Sequence, residues 1–260
     1  MTKGPFDDLF GMWFNQFGNN FDEDPRATSL IKTFRTEIRK GDKEFLKKIV
    51  VKYEKEVYGR TSNLSLLESY SVASVCIEDL EKGYESLSKI KTPNILQEQA
   101  MGLIAYSMEE YGKAVNHLKD SSGTKLTPSI VFSLSLFREG DSDIEKHSKN
   151  LESFLDESAV ANTLLGTLYF NSRDIAEAEK YFEKAAEKSP NSESVRLNLM
   201  RSKLANGNQL EVYKEMNSFY IDTNSSLSKE ELDKELNKSE INMPHLKITN
   251  LYKILASLFF

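Results

Sequence analysis

Residues 161–190, ANTLLGTLYFNSRDIAEAEKYFEKAAEKSP, place small residues at fixed intervals among large apolar ones. Apolar residues recur at helical spacing over residues 160–170 and again over residues 175–186, with the polar stretch NSRD between them. This pattern predicts two amphipathic helices joined by a tight turn, in which Asn171, Ser172 and Asp174 end the first helix and cap the second. Pro190 ends that helix, because proline cannot continue the hydrogen-bond ladder.

The small residues of this hairpin suit a close crossing of two antiparallel helices. Gly166 on the first helix and Ala178 on the second let the backbones approach, and Ala185 leaves room for the next hairpin. Larger side chains fill the space beside the crossing. The residues predicted to pack within the hairpin are Leu165, Gly166, Tyr169, Ala178, Phe182, Ala185 and Pro190.

These offsets resemble the tetratricopeptide repeat, a helical hairpin of about 34 residues with small and large side chains at set positions. Such hairpins stack, because one hairpin cannot bury its own apolar faces. The neighbouring sequence has the same organisation, since Gly102 and Ala114 repeat the spacing of Gly166 and Ala178. Hairpins are predicted to start near residues 64, 95, 128, 159 and 193.

The chain is therefore predicted to be all-α, with an α-solenoid of six to seven tetratricopeptide-like hairpins over residues 26–221. An aromatic-rich segment, residues 1–25, precedes the solenoid. A polar loop and C-terminal capping helices, residues 222–260, follow it.

The aromatic N-terminal segment allows two interpretations. It is either a short helix that caps the first hairpin or a docking motif for another protein, since exposed aromatic side chains make good anchors. In the second interpretation, the partner-binding residues are Phe6, Phe10, Trp13, Phe14 and Phe17.

The C-terminal region contains two predicted helices. One begins near Lys229 with Ser228 as its cap, and its alternating Lys and Glu residues are typical of a solvated face. The other begins at Pro244 and is strongly apolar. We expect it to cap the solenoid, with a partner-binding helix as the alternative.

Composition narrows the class of protein. The net charge of −6 disfavours nucleic acid as a partner, because phosphate binding needs a basic face. The single cysteine, Cys76, excludes an internal disulfide and fits a reducing compartment. The N-terminus lacks a secretory pattern, and no stretch reaches the roughly 18 to 20 apolar residues of a membrane span. We expect a cytoplasmic protein without a membrane span.

Residues with catalytic or ligand-binding potential are scattered. His117, His147 and His245 are far apart, and no metal-binding, phosphate-binding or dinucleotide-binding motif occurs. The sequence predicts no catalytic, cofactor or metal site and no small-molecule substrate. A two-carboxylate clamp for peptide tails is not expected either, because the corresponding positions hold Thr163, Thr167, Leu197 and Arg201.

Three stretches resemble the epsilon subunit family of coatomer, the coat of Golgi-derived vesicles. They are DDLFGMWFNQFGN near the N-terminus, residues 94–120 in the middle, and residues 162–208 towards the end. The resemblance implies a non-catalytic subunit whose solenoid curls around a C-terminal segment of the alpha subunit and stabilises it. It also implies a cytoplasmic protein, peripheral on Golgi or vesicle membranes.

Two other classes of protein remain open. One is a tetratricopeptide adaptor or accessory subunit of a different complex, such as a co-chaperone, assembly factor or targeting factor. The other is an enzyme or enzyme regulator with a site in the groove of the solenoid. In the first of these, as in the coat subunit, the expected partner is a protein in a hetero-complex.

Overall fold

The computed structural model describes residues 24–241, residue 248 and residues 251–260. These residues are α-helical and include no β-strand, which confirms the predicted all-α class. The helices follow one another in consecutive hairpins, as an α-solenoid requires. The predicted hairpin starts lie within two residues of the observed ones at Leu64, Ile95, Leu126, Ala159 and Glu193.

Six hairpins and two further helices make up the described chain. The first three hairpins are α1 (Pro25–Lys40) with α2 (Lys43–Tyr58), α3 (Leu64–Cys76) with α4 (Leu80–Ser88), and α5 (Ile95–Ser107) with α6 (Tyr111–Leu118). The next three are α7 (Leu126–Arg138) with α8 (Ile144–Leu151), α9 (Ala159–Asn171) with α10 (Ile175–Lys188), and α11 (Glu193–Ala205) with α12 (Gln209–Thr223). The two further helices are α13 (Lys229–Leu236) and α14 (Leu251–Phe259).

The described residues divide into two compact units. One runs to Asp120 and is completed by α14, and the other starts at Ser121 and includes the described chain up to Ile241. Each unit therefore contains three consecutive hairpins and one further helix.

One backbone geometry recurs in the turns of five hairpins. Each turn contains one residue with positive φ. The N–H of the residue after it donates to the carbonyl of the residue five positions before the donor, at 2.8–2.9 Å. The second to sixth hairpins therefore share one turn geometry despite their different sequences. The positive-φ residues are Glu78, Glu109, Gly140, Arg173 and Gly207.

Helix starts follow the capping side chains. Asp174 accepts a hydrogen bond from the Glu177 N–H at the start of α10, as predicted. Ser228 caps α13, also as predicted, and the Glu231 carboxylate accepts the Ser228 N–H in return at 2.8 Å. These local interactions mark the starts of α10 and α13.

Helix α3 forms the centre of the first unit. Helices α1, α2, α4 and α14 pack around it, and its residues 69–76 are all buried. The Tyr70 ring makes edge contacts with Phe34 and Tyr58, and its hydroxyl donates to the Val50 carbonyl at 3.3 Å. One core therefore joins the first two hairpins.

The apolar helix α14, which the sequence predicts to cap the solenoid, makes its main contacts with α3 and α5 in the first unit. Leu251, Leu255 and Ala256 are buried there, and the Arg35 guanidinium lies 4.2 Å from the centroid of the Phe260 ring. In the second unit, α13 packs on α11. Pro244 lies outside the described residues.

Candidate functional site

A groove lies between α9 and α11, the first helices of the last two hairpins in the second unit. Residues 227–241, which we call the return segment, run back along it after the last hairpin ends. Helix α13 forms the first part of the segment and packs on α11. The groove therefore binds a stretch of this same chain.

Apolar side chains anchor the return segment at two places. Leu232 and Leu236, one helical turn apart, are buried against a cluster that includes Met200 and Phe219. Ile241 is buried in a second cluster, formed with Phe170, Ala178, Phe182 and Leu199. The segment is thus held at both ends by side chains of the two hairpins.

A charged contact lies between these anchors. The Arg201 side chain is only 7% exposed, and its Nη2 donates to the carboxylate of Glu235. Its Nε donates to the Glu235 carbonyl at 2.5 Å, and its Nη1 donates to Asn198 Oδ1 at 2.8 Å. Burial lowers the pKa of Arg201, and the Glu235 carboxylate opposes that shift. The groove thus contains a buried cation that binds a carboxylate.

The backbone of the return segment is also recognised by side chains. Asn171 Nδ2 donates to the Ile241 carbonyl, and the Ile241 N–H donates to Asn171 Oδ1, both at 3.0 Å. Arg173 Nη1 donates to the Ser239 carbonyl at 2.8 Å. Contacts of this kind bind the backbone of a segment and do not require a particular side chain on the segment.

A cavity of about 390 Å³ lies beside the return segment. Its walls combine α9, the start of α11 and the end of the segment, and they include Val160, Thr163, Leu197, Asn198 and Lys238. Val160 remains 39% exposed at this position. The groove is therefore wider than the segment that lies in it.

The four positions considered for a carboxylate clamp fall in or next to this groove. Thr163, Leu197 and Arg201 line the cavity, while Thr167 is buried and its hydroxyl donates to the Thr163 carbonyl at 2.8 Å. Arg201 does bind a carboxylate, that of Glu235 in the same chain.

A family model described as tetratricopeptide repeat matches residues 159–192, which span α9, α10 and the turn that follows. These residues form a tetratricopeptide repeat. Repeats of this kind indicate a protein-interaction scaffold, and this one supplies α9, one wall of the groove. A search of curated proteins finds no match to the chain. The resemblance to the epsilon subunit family of coatomer stays a prediction.

Most of the residues predicted to pack the tetratricopeptide repeat are buried within its hairpin, and Ala178 and Phe182 also belong to the cluster that holds Ile241. Leu165, Gly166, Ala178, Phe182 and Ala185 are buried. A Cβ atom on Gly166 would lie 2.7 Å from Cε1 of Phe182, so α9 and α10 approach closely at this point.

The remaining predicted packing residues have varied surroundings. Tyr169 is half-buried and stacks on Tyr181 with ring centroids 5.4 Å apart, and Pro190 follows the end of α10. In the third hairpin, Gly102 lies against Leu118, and Ala114 is buried. The predicted partner-binding residues Phe6, Phe10, Trp13, Phe14 and Phe17 lie outside the described residues.

One polar cluster resembles a catalytic arrangement. His117 Nδ1 lies 2.6 Å from Glu98 Oε2, and His117 Nε2 lies 2.8 Å from the Tyr84 hydroxyl. An activated hydroxyl would need a lowered pKa, whereas burial raises the pKa of Tyr84. We interpret the three residues as a polar link between the second and third hairpins.

The part of the chain that the structure describes contains neither a cluster of metal ligands nor a membrane-spanning helix. No three His, Cys, Asp or Glu residues come together there as metal ligands. None of the helices there combines the length and the apolar character needed to cross a bilayer.

The alternating Lys and Glu residues of α13 predict a solvated face but do not show what its other face contacts. Leu232 and Leu236 on this helix are buried against the last hairpin. The available signal was the spacing of these two leucines, followed by the branched apolar residue Ile241 in a polar stretch.

Proposed function

We propose that this chain is a protein-interaction scaffold that binds a partner in a hetero-complex through the groove between α9 and α11. The observation that carries the proposal is how the groove holds the return segment. It uses a buried arginine for a carboxylate, an asparagine for the backbone, and apolar pockets at both ends. Docking of an amphipathic helix on an apolar surface and recognition of an acidic group by arginine are recurring modes of peptide binding.

A finer proposal is a coat subunit related to the epsilon subunit of coatomer, cytoplasmic and peripheral on Golgi or vesicle membranes. Its support is the resemblance of three sequence stretches, at the N-terminus, at residues 94–120 and at residues 162–208. The alternative is an adaptor or accessory subunit of another complex, and the recognition of a short segment in the groove favours it.

Affinity purification of the tagged chain from its own cells, followed by mass spectrometry, tests the scaffold function and distinguishes the coat subunit from the adaptor. Recovery of the coatomer subunits in near-equal amounts supports the coat subunit. Recovery of a different stable complex supports the adaptor. If no protein is retained above the level of a tag-only control, the proposed scaffold function is wrong.

A further inference from the structure

We propose that the groove between α9 and α11 is a receptor for an acidic amphipathic segment of another protein, and that the return segment occupies it as an internal copy of that ligand. The inference rests on the proposed scaffold function and specifies the chemistry of its partner. The expected ligand has apolar residues at positions i and i+4, an acidic residue at i+3 and a branched apolar residue at i+9. Leu232, Leu236, Glu235 and Ile241 have this spacing.

The contacts of the return segment are ones that a separate peptide could make equally well. Leu232 and Leu236 insert from one face of a two-turn helix into an apolar cluster of α11 and α12 at one end of the groove, and amphipathic helices bind to apolar surfaces in this way. The hydrogen bonds from Asn171 and Arg173 reach only the backbone of the segment. Leu232 and Leu236 fill apolar positions beside Met200 and Phe219 of the last hairpin, which a separate peptide with the same spacing would fill in the same way.

The charge of the groove selects an acidic ligand. Arg201 is nearly buried, so it needs a carboxylate or its equivalent to compensate its charge. Glu235 supplies one, and its other neighbour is the exposed Lys238 at 2.6 Å, within the same segment. A partner that presents a carboxylate at this position would replace Glu235 without leaving Arg201 uncompensated.

The cavity gives an external ligand a way to bind more tightly than the internal copy. A tethered segment has an effective concentration in the millimolar range, so a competitor needs additional contacts. The cavity of about 390 Å³ beside Lys238 has Val160 and Leu197 in its wall. A partner with a further apolar side chain beyond the acidic residue can fill it.

The test uses the full chain and a fluorescein-labelled peptide with the sequence of residues 227–241, followed by fluorescence anisotropy. A chain with Leu232→Ser and Leu236→Ser releases its own segment. We expect it to bind the peptide at least about tenfold more tightly than the wild-type chain does, because the internal competitor is gone. Adding Arg201→Ala to the released chain should weaken binding by about tenfold or more.

A second variant, Glu235→Ala, keeps both leucines and removes only the carboxylate. It should bind the wild-type peptide more tightly than the wild-type chain does, because the peptide returns a carboxylate to Arg201. A peptide with the same Glu235→Ala change should lose that advantage. The chain with Glu230→Ala is the matched control, since it removes an exposed carboxylate from the same helix, and it should behave as wild type.

Circular dichroism and thermal unfolding determine whether each variant is folded. A folded, released variant that does not bind the peptide overturns the inference. Unfolding of both variants also overturns it, because the segment would then be an obligatory part of the fold. Affinity purification separates this inference from the proposed scaffold function. If only the inference is wrong, the peptide does not bind but a partner is still recovered. If the scaffold function is wrong, no partner is recovered even though the peptide binds.

Discussion

Asn171 and Ile241 are 70 residues apart in the chain and exchange two hydrogen bonds of 3.0 Å. Asn171 is the last residue of α9, and Ile241 follows α13 at the end of the return segment. The amide of a single asparagine therefore satisfies both backbone groups of a residue that belongs to no helix. This contact joins the tetratricopeptide repeat to the segment that lies in its groove.

Asn171→Ala should loosen the return segment more than it destabilises the hairpins. Two lost hydrogen bonds of about 0.5–1.5 kcal/mol each lower the opening free energy of the segment by about 1–3 kcal/mol. Native-state cleavage by trypsin at Lys234 and Lys238 should accelerate at least about fivefold, because cleavage follows the open population.

The matched control for this variant is Asn206→Ala. The side chain of Asn206 makes one exposed hydrogen bond to Glu179 at 2.8 Å, away from the segment. Its cleavage rate at Lys234 and Lys238 should equal that of the wild type. Equal rates for Asn171→Ala and wild type would mean that the asparagine does not hold the segment.

Gly166→Ala should destabilise the tetratricopeptide repeat although alanine is the better helix former. The new methyl group would lie 2.7 Å from the Phe182 ring, and overpacking of this kind costs about 1–3 kcal/mol. Urea unfolding measures the loss. Phe182→Leu in the Gly166→Ala background should recover part of it, since the smaller side chain makes room.

Gly59→Ala is the control for that substitution. Gly59 follows α2 with right-handed helical dihedral angles, and its Cβ would come no closer than 3.4 Å to any atom. This change should be neutral or slightly stabilising. Equal losses at the two glycines would contradict the close approach of α9 and α10.

Glu109→Gly should stabilise the first unit. Glu109 is exposed and has φ 62° in the turn between α5 and α6, where a side chain costs about 1 kcal/mol that glycine does not. The free energy of unfolding should rise by a few tenths to about 1 kcal/mol. Glu109→Ala removes the same carboxylate but keeps the Cβ atom, so it should give no such gain.

His147 should make the stability of the second unit depend on pH. Burial lowers the pKa of His147, while the Asp141 carbonyl opposes that shift through a contact of 3.3 Å with Nε2. Above pH of about 6.5 the imidazole is neutral in both the folded and the unfolded chain and has no effect. As the pH falls below this value, the unfolded chain binds a proton that the folded chain does not, so stability decreases.

His147→Gln removes this titration. The free energy of unfolding, measured by urea titration between pH 7.5 and 5.5, should fall more steeply for the wild type than for the variant. The difference in slope is limited to about 1.4 kcal/mol per pH unit, the value for one proton. Parallel curves would show that His147 titrates alike in the folded and unfolded chains.

Local sequence patterns predicted much of the fold. Three features depend on neighbours within one or two helical turns and could therefore be predicted from the sequence. They are the spacing of Gly166 and Ala178, the cap at the start of α10 and the starts of the hairpins. The five shared turns were harder to predict, because Glu78, Glu109 and Arg173 adopt positive φ where glycine would have been the expected residue.

Long-range docking could not be predicted in the same way. The apolar pattern of α14 indicated a buried helix but not that it packs on α3 and α5. The contacts of Arg201 with Glu235 and of Asn171 with Ile241 join residues 34 and 70 positions apart. Nothing in the spacing of these polar residues indicates such pairs, since each residue type is common on exposed helices.

Hydrogen exchange of the wild-type chain tests the central claim most directly. If the return segment is a displaceable ligand, the amides of residues 232–241 should exchange through an opening at least about 2 kcal/mol less costly than the unfolding of α9 to α12. Exchange of the segment and of the two hairpins at one common free energy would contradict this account, because the segment would then be an integral part of the fold.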